Sequence, residues 1–330
     1  MDDPLRLLIV EDNPSDAELM VRRLKHEGLV FEWTRVDDEV RFLERLHAGC
    51  DLILSDWSLP DFSGLQALKI IRSLDLDIPF IIISGSIGEE AAVDAMHLGA
   101  SDYLLKDRPE RLGQAVQIAL EQKHLRDQNK QTEIELRIAY DSTLRGWSNA
   151  LELREHETAG HSKRVVQMTL DVARLLGINE QEIAHIQRGA LLHDIGKMGI
   201  PDSILLKPGP LTESEWEVMR MHPIYAYNLL SEIPYLLPAL DIPYYHHERW
   251  DGSGYPKGLK GVEIPIAARI FAIIDVWDAL SHDRPYRPAW TEEKVFNYLQ
   301  KNSGIHFDPE ILEVTLQVIS NNSRDVKKQE

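Results

Sequence analysis

Sulfur is almost missing from this chain: its 330 residues include one cysteine, Cys50. A single thiol excludes an intrachain disulfide and makes sulfur a poor choice for a main metal ligand. Cys50 is expected as a small apolar residue just ahead of a strand. Positive charge is also scarce. Lysines and arginines number 36 against 54 aspartates and glutamates, a net charge of −18. That sign argues against general nucleic-acid binding, DNA included, because phosphate backbones demand basic patches. An anionic nucleotide can bind only where cations and a few basic side chains reverse the local field. Long apolar runs are absent too. Nothing approaches the ~18 apolar residues of a membrane-spanning helix, and the longest run, near 78–83, is short and bounded by Pro79 and Ser84. The opening Met-Asp-Asp-Pro is acidic where a signal peptide is positively charged. No membrane insertion and a cytoplasmic location are therefore expected. The sequence holds neither an internal repeat nor a low-complexity tract.

Hydrophobic residues make up 43% and charged residues 27%, ordinary values for a globular protein, and the length suits two domains with separate cores. Residues 5–120 alternate short apolar runs with amphipathic segments. The runs are Leu7–Val10, Phe31–Val36, Leu52–Leu54, Phe80–Ile83 and Tyr103–Leu105, with helical patterns around Ser15–Glu27, Glu39–Ala48, Gly64–Leu74 and Glu89–Leu98. This pattern predicts a doubly wound α/β fold on a five-stranded parallel sheet. Ligands of such sheets gather at the carboxyl ends of the strands. The polar residues fall there: Glu11 and Asp12, Asp56, Ser84 and Lys106. Three acids at one rim suit a hard cation such as Mg²⁺. A hydroxyl and an ammonium beside them suit the oxygens of a phosphoryl group. The arrangement resembles the receiver domain of response regulators. That resemblance implies Asp56 as phosphoacceptor, Glu11, Asp12 and Asp56 as holders of Mg²⁺, and Ser84, Tyr103 and Lys106 as switch residues. It also implies a sensor histidine kinase as partner.

From about 108 to 155 the pattern is helical and highly charged, without Gly or Pro between Gly113 and Gly146. Ile118, Leu125, Thr132 and Ala139 are seven residues apart, but the intervening positions are poorly apolar. A continuous helix is expected and a sustained coiled coil is only weakly supported. A homodimer through this helix is one of two open alternatives. The expected organisation is a first domain over 1–120, a helical linker over 121–140 and a second domain over 141–330. Residues 320–330 are polar and expected to fray.

The second half reads as helix after helix, broken by loops with Pro and Gly. Into it the chain places His161, His193-Asp194, Lys197, His222-Pro223, His246-His247 and Asp275. Imidazole nitrogen and carboxylate oxygen are the ligands that hold divalent first-row metals. Taken as helical neighbours, His193 and Asp194 project about 100° apart, so both grip one ion only over the helix shoulder. Lys197, further along that face, is placed to meet a substrate phosphate oxygen. His222, His246 and His247 are available to a second ion. Two ions ~3.5–4 Å apart can ready water for in-line attack on a phosphodiester. The run from His246 to Pro256, His-His-Glu-Arg-Trp-Asp-Gly-Ser-Gly-Tyr-Pro, completes the pattern.

Over roughly residues 140–325 the chain resembles the HD-GYP domain, a family of metal-dependent phosphodiesterases that hydrolyse cyclic di-GMP to pGpG or GMP. The resemblance implies an all-α fold of the HD superfamily. It implies His161, His193, Asp194 and Asp275 as the superfamily's ligand set, with Asp194 bridging two ions, and iron or manganese as the metal. His193, Asp194 and Lys197 become the catalytic centre. Glu157, four residues before His161, matches the family members that carry a third metal, and Gly160 suggests a loop between the two.

Arg284 and Arg287 follow Asp275 by nine and twelve residues, as the family's basic pair does. Guanidinium forks suit phosphate oxygens and guanine. Asp278 is expected on the same helical face as Asp275, contacting substrate or orienting a ligand. Gly254, Tyr255 and Pro256 form the GYP loop, which the resemblance links to diguanylate cyclases as partners. Two positions depart from the family pattern: Ala226 where Gly is usual, and His282 where Ser or Thr is usual. The expected function is a two-component response regulator that hydrolyses cyclic di-GMP under control of Asp56 phosphorylation. An HD phosphohydrolase of another nucleotide and a non-catalytic cyclic di-GMP-binding scaffold are the alternatives.

Overall fold

In the computed structural model, which describes residues 4–85, 89–155, 160–283 and 288–326, the first apolar runs become one sheet. Its strands are β1 (Leu5–Val10), β2 (Phe31–Val36), β3 (Leu52–Asp56), β4 (Phe80–Ser84) and β5 (Asp102–Leu105). All pairings are parallel and the order is β2-β1-β3-β4-β5. Every residue of β3 and β4 is buried. Strands covered on both faces carry continuous apolar runs rather than alternation. Helices α1 (Pro14–His26), α2 (Glu39–Ala48), α3 (Gly64–Ser73) and α4 (Glu89–His97) follow the first four strands. The side chains of Asn13, Asp38 and Ser63 cap the first three by accepting backbone N–H bonds. One face of the sheet packs Ile9, Leu54 and Ile81 with Leu24 and Val116, and the other packs Leu8, Ile53 and Ile82 with Phe42 and Leu68. The expected doubly wound fold is the one observed. Cys50 sits half-buried against the second of these cores, two residues before β3.

A single helix, α5 (Leu112–Glu155), then runs for 44 residues. The expected continuous helix is observed, and the segment 121–140 is its middle. The chain divides into two compact units, Met1–Glu135 and Leu136–Glu330.

The second unit is helical: α6 (His161–Leu175), α7 (Glu180–Leu191), α8 (Asp202–Leu205), α9 (Glu213–Met219), α10 (His222–Leu230), α11 (Asp241–Tyr245), α12 (Ile266–Ser281), α13 (Glu292–Lys301) and α14 (Pro309–Val326). Helix α12 is apolar around most of its girth because α6, α11, α13 and α14 surround it. Its Ile270, Phe271, Ile273 and Ile274 form the centre of the core. The tail expected to fray from residue 320 is helical as far as Val326. Among the described residues no helix is long and apolar enough to cross a membrane.

Candidate metal centre

Helix ends carry the ligand-type side chains. His161 opens α6 after Gly160, whose φ of 84° is a left-handed cap that suits glycine. His222 opens α10, followed by Pro223 at a position where a missing N–H costs nothing. His246 and His247 follow the last residue of α11, and Asp275 lies inside α12. His193 and Asp194 depart from expectation. They lie on a turn beyond α7, and Lys197 lies on a 3₁₀ turn, Ile195–Gly199. The reason is close packing of that turn on α10. A Cβ at Gly196 would lie 2.6 Å from Ala226 N and run into the His222 carbonyl. Only glycine permits the approach that places Asp194 beside His222.

Two groups of ligand-type atoms result. Asp194, His222, His246 and His247 offer atoms within 4.8 Å of one another, and so do His161, His193 and Asp275. Asp194 joins them. Its Oδ2 lies 3.0 Å from His193 Nε2 and 2.7 Å from Lys197 Nζ, while Oδ1 lies 3.4 Å from His222 Nε2 and 3.8 Å from His246 Nε2. Each imidazole is oriented from behind. Nδ1 donates to Ala190 O in His193, to Met219 O in His222 and to Ile242 O in His246, each at 2.9 Å. A donated Nδ1 proton turns the Nε2 lone pair towards the shared space.

Burial would depress the His193 imidazole, but Asp194 and Asp275 carry it up to about 9, so its Nε2 holds a proton that a cation would displace on binding. Burial would raise the Asp194 carboxyl, but His193 and Lys197 hold it well below the usual carboxylate range. His222, His246 and His247 are all pushed down by burial, the last two far down. Neutral imidazoles with inward lone pairs beside an ionised carboxylate are a divalent-cation donor set. One atom tests the fit directly. The buried His193 Nε2 has no aligned hydrogen bond although Asp194 Oδ2 is 3.0 Å away. His193 Nε2 and Asp194 Oδ2 thus face each other where the two ligand groups meet. The residues present fit the metal.

Two buried carboxylates support the ligand-type residues: Asp278, which was expected near them, and Glu248, which was not. Asp278 is 2% exposed. It accepts from His161 Nδ1 at 2.7 Å and from Arg164 Nε and Nη2 at 2.7 and 3.0 Å. It is therefore an orienting partner of His161, one of the two roles expected for it. Glu248, also buried, accepts the backbone N–H groups of Lys257, Gly258 and Leu259, folding the GYP loop back on the histidine pair. Tyr255 stacks on His247 with centroids 4.7 Å apart. A Cβ at Gly254 would come within 2.6 Å of His247 O, so the loop braces a ligand-type residue directly. Its small residue is a spatial need. Glu157, Arg284 and Arg287 lie outside the described residues.

At the carboxyl edge of the sheet, Glu11, Asp12 and Asp56 also bring carboxylate oxygens within 4.8 Å of one another. Lys106 Nζ bonds Glu11, Asp16 and Asp56 at 2.8, 2.7 and 2.7 Å. Burial would depress this lysine, but the three carboxylates raise it above its ordinary value. Burial raises Glu11. Asp16 was missed because it reads as an ordinary first-turn acid of α1. Ser84 is buried at the end of β4, and Tyr103 on β5 meets the Trp57 ring edge-on at 6.2 Å.

The family model for the response regulator receiver domain matches residues 7–117, and that for the HD domain matches residues 146–311. The cyclic di-GMP phosphodiesterase response regulator RpfG of Xanthomonas campestris pv. campestris is 37% identical over 95% of this chain and 87% of its own length. A cyclic di-GMP phosphodiesterase of Thermotoga maritima is 33% identical over 95% of this chain and 90% of its own. A 3'3'-cGAMP-specific phosphodiesterase 2 of Vibrio cholerae is 41% identical over 56% of this chain and 36% of its own. With both halves matched in order, and near-complete relatives of the same arrangement, the chain belongs to the response regulators that join a receiver domain to an HD-GYP domain.

Proposed function

We propose that this protein is a two-component response regulator whose output is metal-dependent hydrolysis of cyclic di-GMP to pGpG or GMP, under control of Asp56 phosphorylation in the cytoplasm. The observation that carries the reading is Asp194, within 4 Å of His193, Lys197, His222 and His246 at once. Asp194, His222, His246 and His247 would hold one cation. His161, His193 and Asp275 would hold the other, with Asp194 at the border and Glu157 available to a third. Iron or manganese suits the imidazole–carboxylate set. When bound, the cations supply Lewis acidity to a phosphodiester oxygen and make water acidic enough to attack near neutral pH.

His193, Asp194 and Lys197 form the catalytic centre. Lys197 brings an ammonium to the rim of both ligand groups and meets a non-bridging phosphate oxygen. Arg284 and Arg287 supply the planar donors for the rest of the dinucleotide. In the receiver, Glu11, Asp12 and Asp56 hold Mg²⁺. A histidine kinase supplies the phosphoryl group to Asp56, and Ser84, Tyr103 and Lys106 respond to the nearly two added negative charges. The GYP loop, whose Ser253 and Lys257 are exposed, presents a surface to diguanylate cyclases. Helix α5 exposes Ile118, Leu125, Ile134, Leu136 and Ile138, and a second copy of the chain would cover part of them.

Incubation of the full chain with cyclic di-GMP and Mn²⁺ or Fe²⁺, followed by chromatography, tests the reading. Wild type should yield pGpG or GMP and Asp194→Ala should yield neither. Tight binding with no product would indicate a scaffold instead. The 41% identity with a 3'3'-cGAMP-specific enzyme favours a second reading, hydrolysis of the mixed dinucleotide. Faster turnover of that substrate in direct competition would move the assignment to it.

A further inference from the structure

The last turn of α5 lies against the segment that carries Lys197, and two consecutive side chains fasten it there. Arg154 donates through Nη1 to the carbonyls of Lys197 and Met198 at 3.1 and 3.2 Å, and through Nη2 to that of Ile200 at 2.7 Å. Its Nε and Nη2 also reach Asp202 Oδ1 at 3.0 and 2.6 Å. Three bonds from one planar fork thus gather the carbonyls at the end of a short 3₁₀ turn, and two more hold the Asp202 carboxylate. Glu155, 9% exposed at its side chain, bonds Lys197 Nζ at 3.1 Å, opposite the 2.7 Å contact of that ammonium with Asp194. Lys197 is held at its backbone by one residue of α5 and at its tip by the next.

We propose that Arg154 and Glu155 are positioning residues through which the last turn of α5 sets the place of the Lys197 ammonium, and hence the turnover step rather than metal binding. The proposal rests on the reading of Lys197 as the group that meets the substrate phosphate. Successive helical residues project about 100° apart. A rotation or slide of the last turn therefore cannot preserve both grips. Glu155 and Asp194 share one ammonium, so a shift favouring Glu155 withdraws positive charge from the ligand groups. A misplacement of about 1 Å is enough to cost on the order of 100-fold in rate. Helix α5 is unbroken, and its first turns bury Leu112, Ala115, Val116 and Ala119 in the receiver core. The two positioning residues stand at the other end of an element that starts in the phosphorylated unit. That gives the signal a route to Lys197 that bypasses the metal ligands.

The test uses full-length wild type, Arg154→Gln, Arg154→Lys, Asp202→Asn and Asp194→Ala. Steady-state kinetics on cyclic di-GMP with and without a small-molecule phosphodonor, metal content, and amide hydrogen exchange of peptides spanning 195–202 are measured. Arg154→Gln should lower kcat about 10- to 100-fold with KM within about 2-fold. Its metal content should equal that of wild type, its exchange over 195–202 should quicken, and its response to phosphodonor should vanish. Arg154→Lys, which keeps the charge without the fork, should recover part of kcat. Asp202→Asn, which alters only the exposed acceptor, should stay within about 3-fold of wild type. Unchanged kcat and exchange in Arg154→Gln would overturn the proposal, and so would a kcat loss that tracks loss of metal. If wild type leaves cyclic di-GMP intact, the functional reading fails by itself. Unchanged exchange over 195–202 in Arg154→Gln would then still overturn the positioning role, and quickened exchange would uphold it.

Discussion

Replacing Asp278 with asparagine removes one buried negative charge and little volume, and its consequences can be worked out from the contacts. Burial would raise this carboxyl, but the bonds from His161 and Arg164 hold it at about 2 against an ordinary 3.8. A carboxyl lowered in the folded state contributes stability above its unfolded value and loses it as pH falls through the folded one. That difference corresponds to about 2 kcal/mol at pH 7, with about 1 kcal/mol of it gone by pH 3. Asparagine cannot ionise, so Asp278→Asn should lose about 2 kcal/mol of local stability at neutral pH. The gap from wild type should narrow on acidification below pH 4. Hydrogen exchange of α6 and α12 peptides in the full chain reads this directly. The same change leaves His161 Nδ1 without its carboxylate, and loss of such an orienting partner costs roughly 10- to 100-fold in metal affinity. Competition with a chelating dye measures that. Metal affinity within 2-fold of wild type, together with an exchange difference that does not vary with pH, would refute the orienting role of Asp278.

Glu248→Gln replaces an acceptor of three backbone N–H bonds with a group that opposes Leu259 N–H by its own donor. At about 1.5–3 kcal/mol for each charged hydrogen bond lost, proteolytic nicking within 251–260 should rise sharply and metal stoichiometry should drop. An unaltered digestion pattern would refute the bracing role. Burial pushes the Cys50 thiol up to about 11 from 9.0, so disulfide reagents at pH 8 should react on the order of 100-fold more slowly than with a free thiol. Glutathione is the reference, and equal rates would contradict the burial. Lys106→Met leaves Glu11, Asp16 and Asp56 without their shared ammonium, so Mg²⁺ should raise the melting temperature of this variant more than that of wild type. A smaller rise would show that the carboxylates do not share a cation site.

Much of the receiver half was legible in the sequence. Strands β3 and β4 are buried on both faces, so their continuous apolar runs stand out, and acids placed just after strands arrive at one rim by topology alone. In the second half the types of the ligand residues were legible for the same reason: clustered histidine and aspartate have few other uses in a helical domain. The turn at His193-Asp194 was not. Leu191-Leu192-His193-Asp194-Ile195 continues a helical pattern, and the break comes from the packing of Gly196 on α10. Asp278 at three residues from Asp275 suits ligand support or substrate contact, and which ligand it supports is settled only when α6 packs on α12 and brings His161 and Arg164 to it. Glu248 reads as a surface acid until the GYP loop returns over it. Arg154 and Glu155 read as the charged end of a solvated helix. Sequence by itself determined the periodicities and the chemical types of the ligand residues, because those are local properties of the chain. Which carboxylate faces a ligand, which a loop and which an ammonium was decided only by tertiary structure. Those partners lie from 9 to 117 residues apart, and only packing can choose among contacts at such separations.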